Sequence, residues 1–412
     1  MAATLITNIQ LLAGTGNPLQ PLRGKDLALL PSIENAYLVI EDDEIAAFGG
    51  MHELKSLTSQ LTTIDATGQI ILPAWCDSHT HLVFAASREE EFIDKIKGLG
   101  YAEIAAKGGG ILNSAGKLHD ATADQLFNSA WKRLEEISKL GTAAVEIKSG
   151  YGLTVEDELK MLRVIKRLKE KSQLHVKSTF LGAHTFPLEY KENHQAYIDL
   201  IIKEMLPVIA AEQLADYIDV FCEKGFFSTE ETETICRAGM QYGLKPKIHA
   251  NQLSLSGGVE TGIKLGAISV DHLETMDNET ITALANSATI GTLLPSAAFF
   301  LRMPFQPARE LVDAGCAISL ASDYNPGSSP SGNMNLVVAM SCIQMKLLPE
   351  EAINAATING AFAMEINEQA GSIAVGKKAN LIFTKPVPSV AYLPYAFGSN
   401  LIDKVMIKGN LQ

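Results

Sequence analysis

Ala143-Ala144-Val145-Glu146-Ile147, a helical pattern from Val155 to about Lys171, and then Ser178 to Ala183 form the stretch that decides the fold. The first run is short, apolar and suited to a strand. The second places Leu159, Leu162, Ile165 and Leu168 at intervals of three, which makes one buried helical face. The third is again a short apolar run. Strand, helix and strand in this order form the crossover unit that joins two parallel strands.

The same alternation continues outward. Further strand candidates are Ile218 to Cys222, Lys247 to Ala250, Ala267 to Asp271, Ile290 to Leu294 and Ala317 to Ala321, with helical patterns such as Thr229 to Tyr242 and Asn278 to Ala285 between them. About eight such strands over roughly 300 residues match a closed (β/α)8 TIM barrel. A doubly wound open sheet is the alternative. It is disfavoured because no GxGxxG follows an early strand. The glycine run Gly108-Gly109-Gly110 lacks that spacing and is read as a mobile loop.

Both chain ends read differently. Ala36 to Ile40, a turn at Asp42-Asp43 and Glu44 to Phe48 form hairpin-like punctuation, and Gln69 to Leu72 is a strand ended by Pro73. Ala379 to Phe383 and Asp403 to Gly409 are again β in character. The expected architecture is therefore α/β: a distorted (β/α)8 barrel over residues 73–371, with a small β-sandwich domain formed by residues 1–72 and 372–412 together.

Composition excludes several function classes. Of 412 residues, 47% are hydrophobic and 20% charged, and the formal net charge is −13. No block of Lys and Arg offers the positive face that a nucleic acid or an anionic membrane requires, so neither partner is expected. No run of apolar residues is long enough for a membrane span, and Met1 to Pro18 lacks a signal-peptide pattern. The five cysteines, Cys76, Cys222, Cys236, Cys316 and Cys342, show no CxxC spacing and are read as small apolar residues of a cytoplasmic protein.

The chemistry concentrates in Asp77-Ser78-His79-Thr80-His81, read as following the strand at Ile70 to Leu72. Residues two apart in an extended chain point to one side, so His79 and His81 can present two imidazoles to one ion. His249, His272 and Asp323 each end an apolar run. In a barrel these ends converge on the face where active sites are built. Imidazoles with one carboxylate suit Zn2+ or iron. His79, His81, His249 and Asp323 are the expected metal ligands. Asp323 is also the expected acceptor of a water proton, and His272 is left to polarise a carbonyl or shuttle a proton.

These residues resemble the amidohydrolase superfamily over nearly the whole chain, including Gly371 to Leu381 ahead of a terminal β domain. The resemblance implies a distorted barrel, a β-sandwich built from both ends, and a metal-dependent hydrolase, with a homodimer compatible with it. One branch carries a carbamylated lysine bridging two metals. Lys148 is the obvious lysine near a strand end, but it is placed on the third strand, with His184 ending the fourth, so a single Zn2+ or Fe2+/Fe3+ is expected. Lys148 is read as part of a surface or structural ion pair.

Longer motifs carry a closer resemblance within the superfamily. They are His79 to Phe84 with Arg88, Glu146 to Leu153, Thr179 to His184, His249 to Ser254, and Ser322 to Ser328. They resemble the branch that opens 4-imidazolone-5-propanoate with water to N-formimidoyl-L-glutamate in histidine degradation. A related enzyme acting on another carboxylated heterocycle is the alternative. The resemblance implies a small-molecule site in which Arg88 holds the propionate and Tyr151 and His184 meet the ring. Asn325, Gly327 and Ser328 supply the last loop. Gln252 would face the ring, yet a glutamine cannot serve as a base, so it can only position substrate. Tyr101, in a neighbouring loop, is a further candidate.

Overall fold

The structure is a computed structural model that describes residues 3–54, 62–99 and 109–412. Tyr101 and Gly108 lie outside the described residues. The barrel is an eight-stranded parallel sheet in sequential order. Its strands are β6 (Trp75–Thr80), β7 (Thr142–Lys148), β8 (His175–Ala183), β9 (Tyr217–Cys222), β10 (Lys245–Ala250), β11 (Ser269–His272), β12 (Ile290–Leu293) and β13 (Ile318–Leu320). Helices such as Val155–Lys171, Thr229–Gln241 and Asn278–Ala285 make the crossovers, as the periodicity predicts.

The last strand is short, and the residues after it close the barrel. The Asp323 N–H donates to His79 O at 3.0 Å and the His81 N–H to Tyr324 O at 2.9 Å. Beneath them the Asp77 carboxylate accepts the Ser322 N–H at 2.9 Å and its hydroxyl at 2.5 Å.

The chain ends build a second, mixed sheet of eight strands, ordered β16-β15-β14-β5-β1-β2-β3 with β4 beside β1. These are β1 (Ala3–Ala13), β2 (Ser32–Glu41), β3 (Glu44–Gly50), β4 (Thr62–Asp65), β5 (Ile70–Pro73), β14 (Leu381–Thr384), β15 (Ile402–Ile407) and β16 (Asn410–Leu411). The two ends meet where β5 pairs antiparallel with β14, Leu72 opposite Ile382. Ile6, Ile9, Leu38, Ile71, Leu381 and Phe383 form a buried cluster on this sheet, separate from the barrel core.

Two readings need correction. The run from Ile70 onward is two strands: β5 belongs to the end sheet, and the histidine pair ends the separate strand β6, which pairs with β7. Counting β5 into the barrel displaces the strand numbers by one. Lys148 ends the second barrel strand and His184 follows the third. Gly110 is the cap of a helix, Ile111–Asp120, which its φ of 87° introduces. Cys76, Cys222, Cys236 and Cys316 are buried and Cys342 is half-buried; all five are free thiols.

Candidate functional site

Strand β6 is buried along its whole length, and its alternation sets Asp77, His79 and His81 on one side. His249 arrives on β10, His272 on β11 and Asp323 three residues beyond β13. Their ligand atoms converge. Asp323 Oδ1 lies 3.6 Å from Nε2 of both His79 and His81, and His81 Nε2 lies 3.4 Å from His249 Nε2. Three overlapping groups, His79/His81/Asp323, His79/His249/His272 and His81/His184/His249, each bring their donor atoms within 4.8 Å of one another.

The donor set fits a metal ion. His79 Nε2 is buried and has no hydrogen-bond partner. Burial, followed by the Lys148 ammonium and neighbouring imidazoles, holds His79 and His249 well below the usual histidine range. His81 is lowered by burial and then by His184. Neutral imidazole is the form that ligates a metal.

Beneath these rings lies a network that the sequence reading did not assign. His79 Nδ1 meets Asp271 Oδ2 at 2.6 Å. Asp219 Oδ2 lies 2.9 Å from His249 Nδ1, and its Oδ1 accepts the His249 N–H at 3.1 Å. Lys148 joins the two carboxylates: its Nζ donates to Asp219 at 2.8 Å and to Glu146 at 2.6 Å, and stands 3.5 Å from Asp271. Lys247 pairs with Glu146 and donates to Ser78 O at 3.2 Å. Lys148 is therefore a structural ion pair in the barrel interior and not at the surface. Burial opposes its charge, yet Asp219, Glu146 and Asp271 outweigh that and raise its pKa. A carboxylate hydrogen-bonded to Nδ1, as Asp271 is at His79, fixes the tautomer and ring orientation of a ligating histidine, while Asp219 holds His249 through its backbone N–H.

Left-handed backbone marks the strand ends. Asn251, His272, Leu273 and Asp323 have φ of 53°, 89°, 66° and 53°. Strain of this kind persists where surrounding contacts over-determine it, and it clusters at functional sites. At Asp323 the contacts are the His79 carbonyl, the Asn325 Nδ2 donating to Asp323 O at 2.6 Å, and Ser328 Oγ at 3.2 Å from Asp323 Oδ2. Burial pushes the Asp323 carboxyl up to about 6. At His272 burial opposes protonation, but Glu274, 3.4 Å from Nδ1, outweighs it, with smaller contributions from Asp323 and Asp271, and the pKa is raised.

A cavity of about 540 Å³ opens over these groups. His81, His249, His272 and Asp323 line it, as do Arg88, Tyr151, His184, Gln252, Asn325, Gly327 and Ser328. Among the described residues, every expected site residue thus reaches this cavity except His79, which is fully buried. His184 is stacked on His81 with ring centroids 5.1 Å apart, and Tyr151 lies 5.5 Å from His184. Burial lowers His184 to about 4, and its Nδ1 lies 3.1 Å from Gly150 O. The loop bearing Tyr151 is held by Glu158, which accepts the N–H groups of Gly150, Gly152 and Leu153 at 3.1, 2.6 and 3.1 Å. Asn325 organises the last loop, its Oδ1 accepting the Gly327 and Ser328 N–H groups, both at 2.8 Å.

The residue pattern of a family model described as the amidohydrolase family matches residues 70–411. The chain is 58% identical over 409 residues to the imidazolonepropionase of Flavobacterium johnsoniae, covering 99% of each. It is 55% identical to that of Christiangramia forsetii, again covering 99% of each. The chain belongs to the amidohydrolase family, in its imidazolonepropionase branch.

Among solved structures, a triazine hydrolase variant superposes with a TM-score of 0.76 at 16% identity, over 99% of this chain and 94% of that one. An adenosine deaminase from Xanthomonas campestris with bound zinc gives 0.70 at 16% identity, over 100% and 92%. At such identity the likeness is one of fold: the barrel and the sheet from the chain ends are the amidohydrolase architecture. Among the described residues no helix is long and apolar enough to cross a membrane.

Proposed function

We propose that the chain hydrolyses the ring C–N bond of 4-imidazolone-5-propanoate to give N-formimidoyl-L-glutamate. One observation carries the substrate: identity of 58%, end to end, with a relative named imidazolonepropionase. The cavity agrees with it, because a converging imidazole and carboxylate set lies beside a guanidinium. His79, His81, His249 and Asp323 would hold one ion, Zn2+ or Fe2+/Fe3+, whose donor set of nitrogen and carboxylate oxygen suits either. When bound, it lowers the pKa of water and polarises a carbonyl.

The chain's own residues supply the rest. Arg88 holds the propionate, while Tyr151 and His184 confine the flat ring so that its amide carbonyl faces Asp323 and His272. The Asp323 carboxylate accepts a proton from water as the oxygen bonds to the ring carbonyl carbon. The proton passes to the departing ring nitrogen as the C–N bond breaks, and the ring opens into one molecule that carries a new carboxylate at the former carbonyl carbon and the formimidoyl group on the nitrogen it retains. His272 stabilises charge on the carbonyl oxygen. Gln252, on the cavity wall, positions the ring and moves no proton. Residues 1–72 and 372–412 are proposed as the two parts of the β domain and 73–371 as the barrel, which the pairing of β5 with β14 supports.

The test follows loss of imidazolonepropanoate absorbance with metal-replete protein, before and after chelation, beside elemental analysis. Turnover abolished by chelation and restored by Zn2+ or Fe2+ is expected. No turnover by a metal-replete sample refutes the reading.

A further inference from the structure

Arg88 does not stand alone in the cavity. Its Nε and Nη2 both donate to Glu91 Oε2, at 2.9 and 2.5 Å. Glu91 Oε1 in turn accepts the Gly110 N–H at 3.0 Å and Asn113 Nδ2 at 3.2 Å. The guanidinium is therefore already matched in charge by one carboxylate, with Nη1 left facing Gly327, where a Cβ would overlap it.

A second cation reaches the same glycine. Lys95 lies in the last turn of the helix Glu89–Ile96, for which Arg88 is the cap, and it lines the cavity. Its Nζ lies 3.4 Å from Gly327 O and 6.0 Å from the centre of the Phe300 ring. Among the described residues it pairs with no carboxylate. Burial and then the Arg88 charge hold the Lys95 ammonium below its usual range, the Glu91 carboxylate opposing them only in part, whereas an anion between the two cations would offset both effects.

We propose that Lys95 is a second, uncommitted cation for the ligand's carboxylate, converging with Arg88 at Gly327 and setting the site's selectivity for an anionic tail. This rests on the substrate class argued above and adds the residue that supplies the unpaired charge. Arg88 fixes the orientation of the carboxylate through its planar fork, and Lys95 contributes a point charge on a flexible stem.

Lys95→Met and Lys95→Arg test it, with Lys117→Met as a control on a neighbouring surface lysine. KM and kcat are measured with imidazolonepropanoate. Affinities are measured by competition for 3-(imidazol-4-yl)propanoate and for its uncharged amide. The expected result for Lys95→Met is KM raised about tenfold or more with kcat within about threefold, the pattern of lost uniform binding. The wild-type preference for the acid over the amide shrinks in parallel, Lys95→Arg retains most of it, and Lys117→Met matches wild type. Lys95 is half-buried on a short helix, and an unchanged melting temperature separates lost binding from unfolding. If wild-type protein prefers the acid while Lys95→Met leaves both KM and that preference unaltered, the role of Lys95 is overturned and the substrate class stands. If wild-type protein neither turns over imidazolonepropanoate nor discriminates acid from amide, the substrate class is overturned and the role of Lys95 with it.

Discussion

Lys148 is fully buried among Glu146, Asp219 and Asp271, and the last two reach the rings of His249 and His79. Removing the ammonium leaves several carboxylates buried without their counter-charge, which is far more damaging than losing a surface pair. Lys148→Met is expected to lower unfolding free energy by about 3–5 kcal/mol, read from the urea midpoint. In whatever fraction folds, metal affinity measured against a chelator should fall about 10–100-fold, because the histidine rings lose their fixed orientation. Gly327→Ala separates the opposite case. The position needs no left-handed backbone, so stability should hold, but the new methyl displaces the Arg88 guanidinium. KM for a carboxylated substrate is expected to rise while kcat changes little, and an unchanged KM would remove Arg88 from the site. The histidines and Asp323 were legible because each ends an apolar strand, where a polar residue is conspicuous. The charged residues beneath them, Glu146, Lys148, Asp219, Lys247 and Asp271, were equally patterned, alternating with Ile and Val on the same strands. A charge inside a strand is readable as buried only once its opposite number on another strand is known. The pairing of Arg88 with Glu91 is local, at a spacing of three, and still changes what Arg88 can offer a ligand.

At the scale of elements, crossover helices and strands followed from period alone, since each is decided within its own window. The assignment of β5 and β6 to different sheets did not. Ile70 to Cys76 is apolar throughout, and only the partners, β14 for one segment and β7 for the other, assign its two parts to different sheets. Such pairing is non-local and leaves no mark in the run itself. The start of β8 carries a prediction of its own. His175 has a buried, unpartnered Nε2, and burial, then Lys408, Lys378 and Lys177, lower its pKa to about 4. The unfolded chain titrates near the ordinary histidine value of about 6.5. Between these values the unfolded state binds the extra proton, so stability is full above about 6.5 and is lost as pH falls toward 4. Wild type should lose about 1–3 kcal/mol more than His175→Gln across that interval. Urea midpoints at a series of pH values measure the difference, and parallel curves would show that His175 titrates alike in the folded and unfolded states.

For the whole molecule, the proposed ligands have a consequence beyond chemistry, because they come from the two strands at the seam of the barrel. His79 belongs to β6, the first strand, and Asp323 follows β13, the last. The seam otherwise relies on the hydrogen bonds of Asp323, His81 and Ser322 across to the facing segment, since β13 itself is only Ile318–Leu320. An ion held by His79, His81, His249 and Asp323 therefore ties the first strand to the last as well as to β10. Any ligand that binds only the folded state stabilises it by mass action. Chelation is expected to lower the melting temperature, and to do so unevenly. Amide hydrogen exchange should accelerate first along 76–81 and 318–325, while the end sheet, whose core of Ile6, Ile9, Leu381 and Phe383 is separate, keeps its protection. Asp323→Asn should reproduce the same local pattern without a chelator. Uniform acceleration through barrel and end sheet alike would mean that the ion stabilises the fold globally and that the seam closes without it.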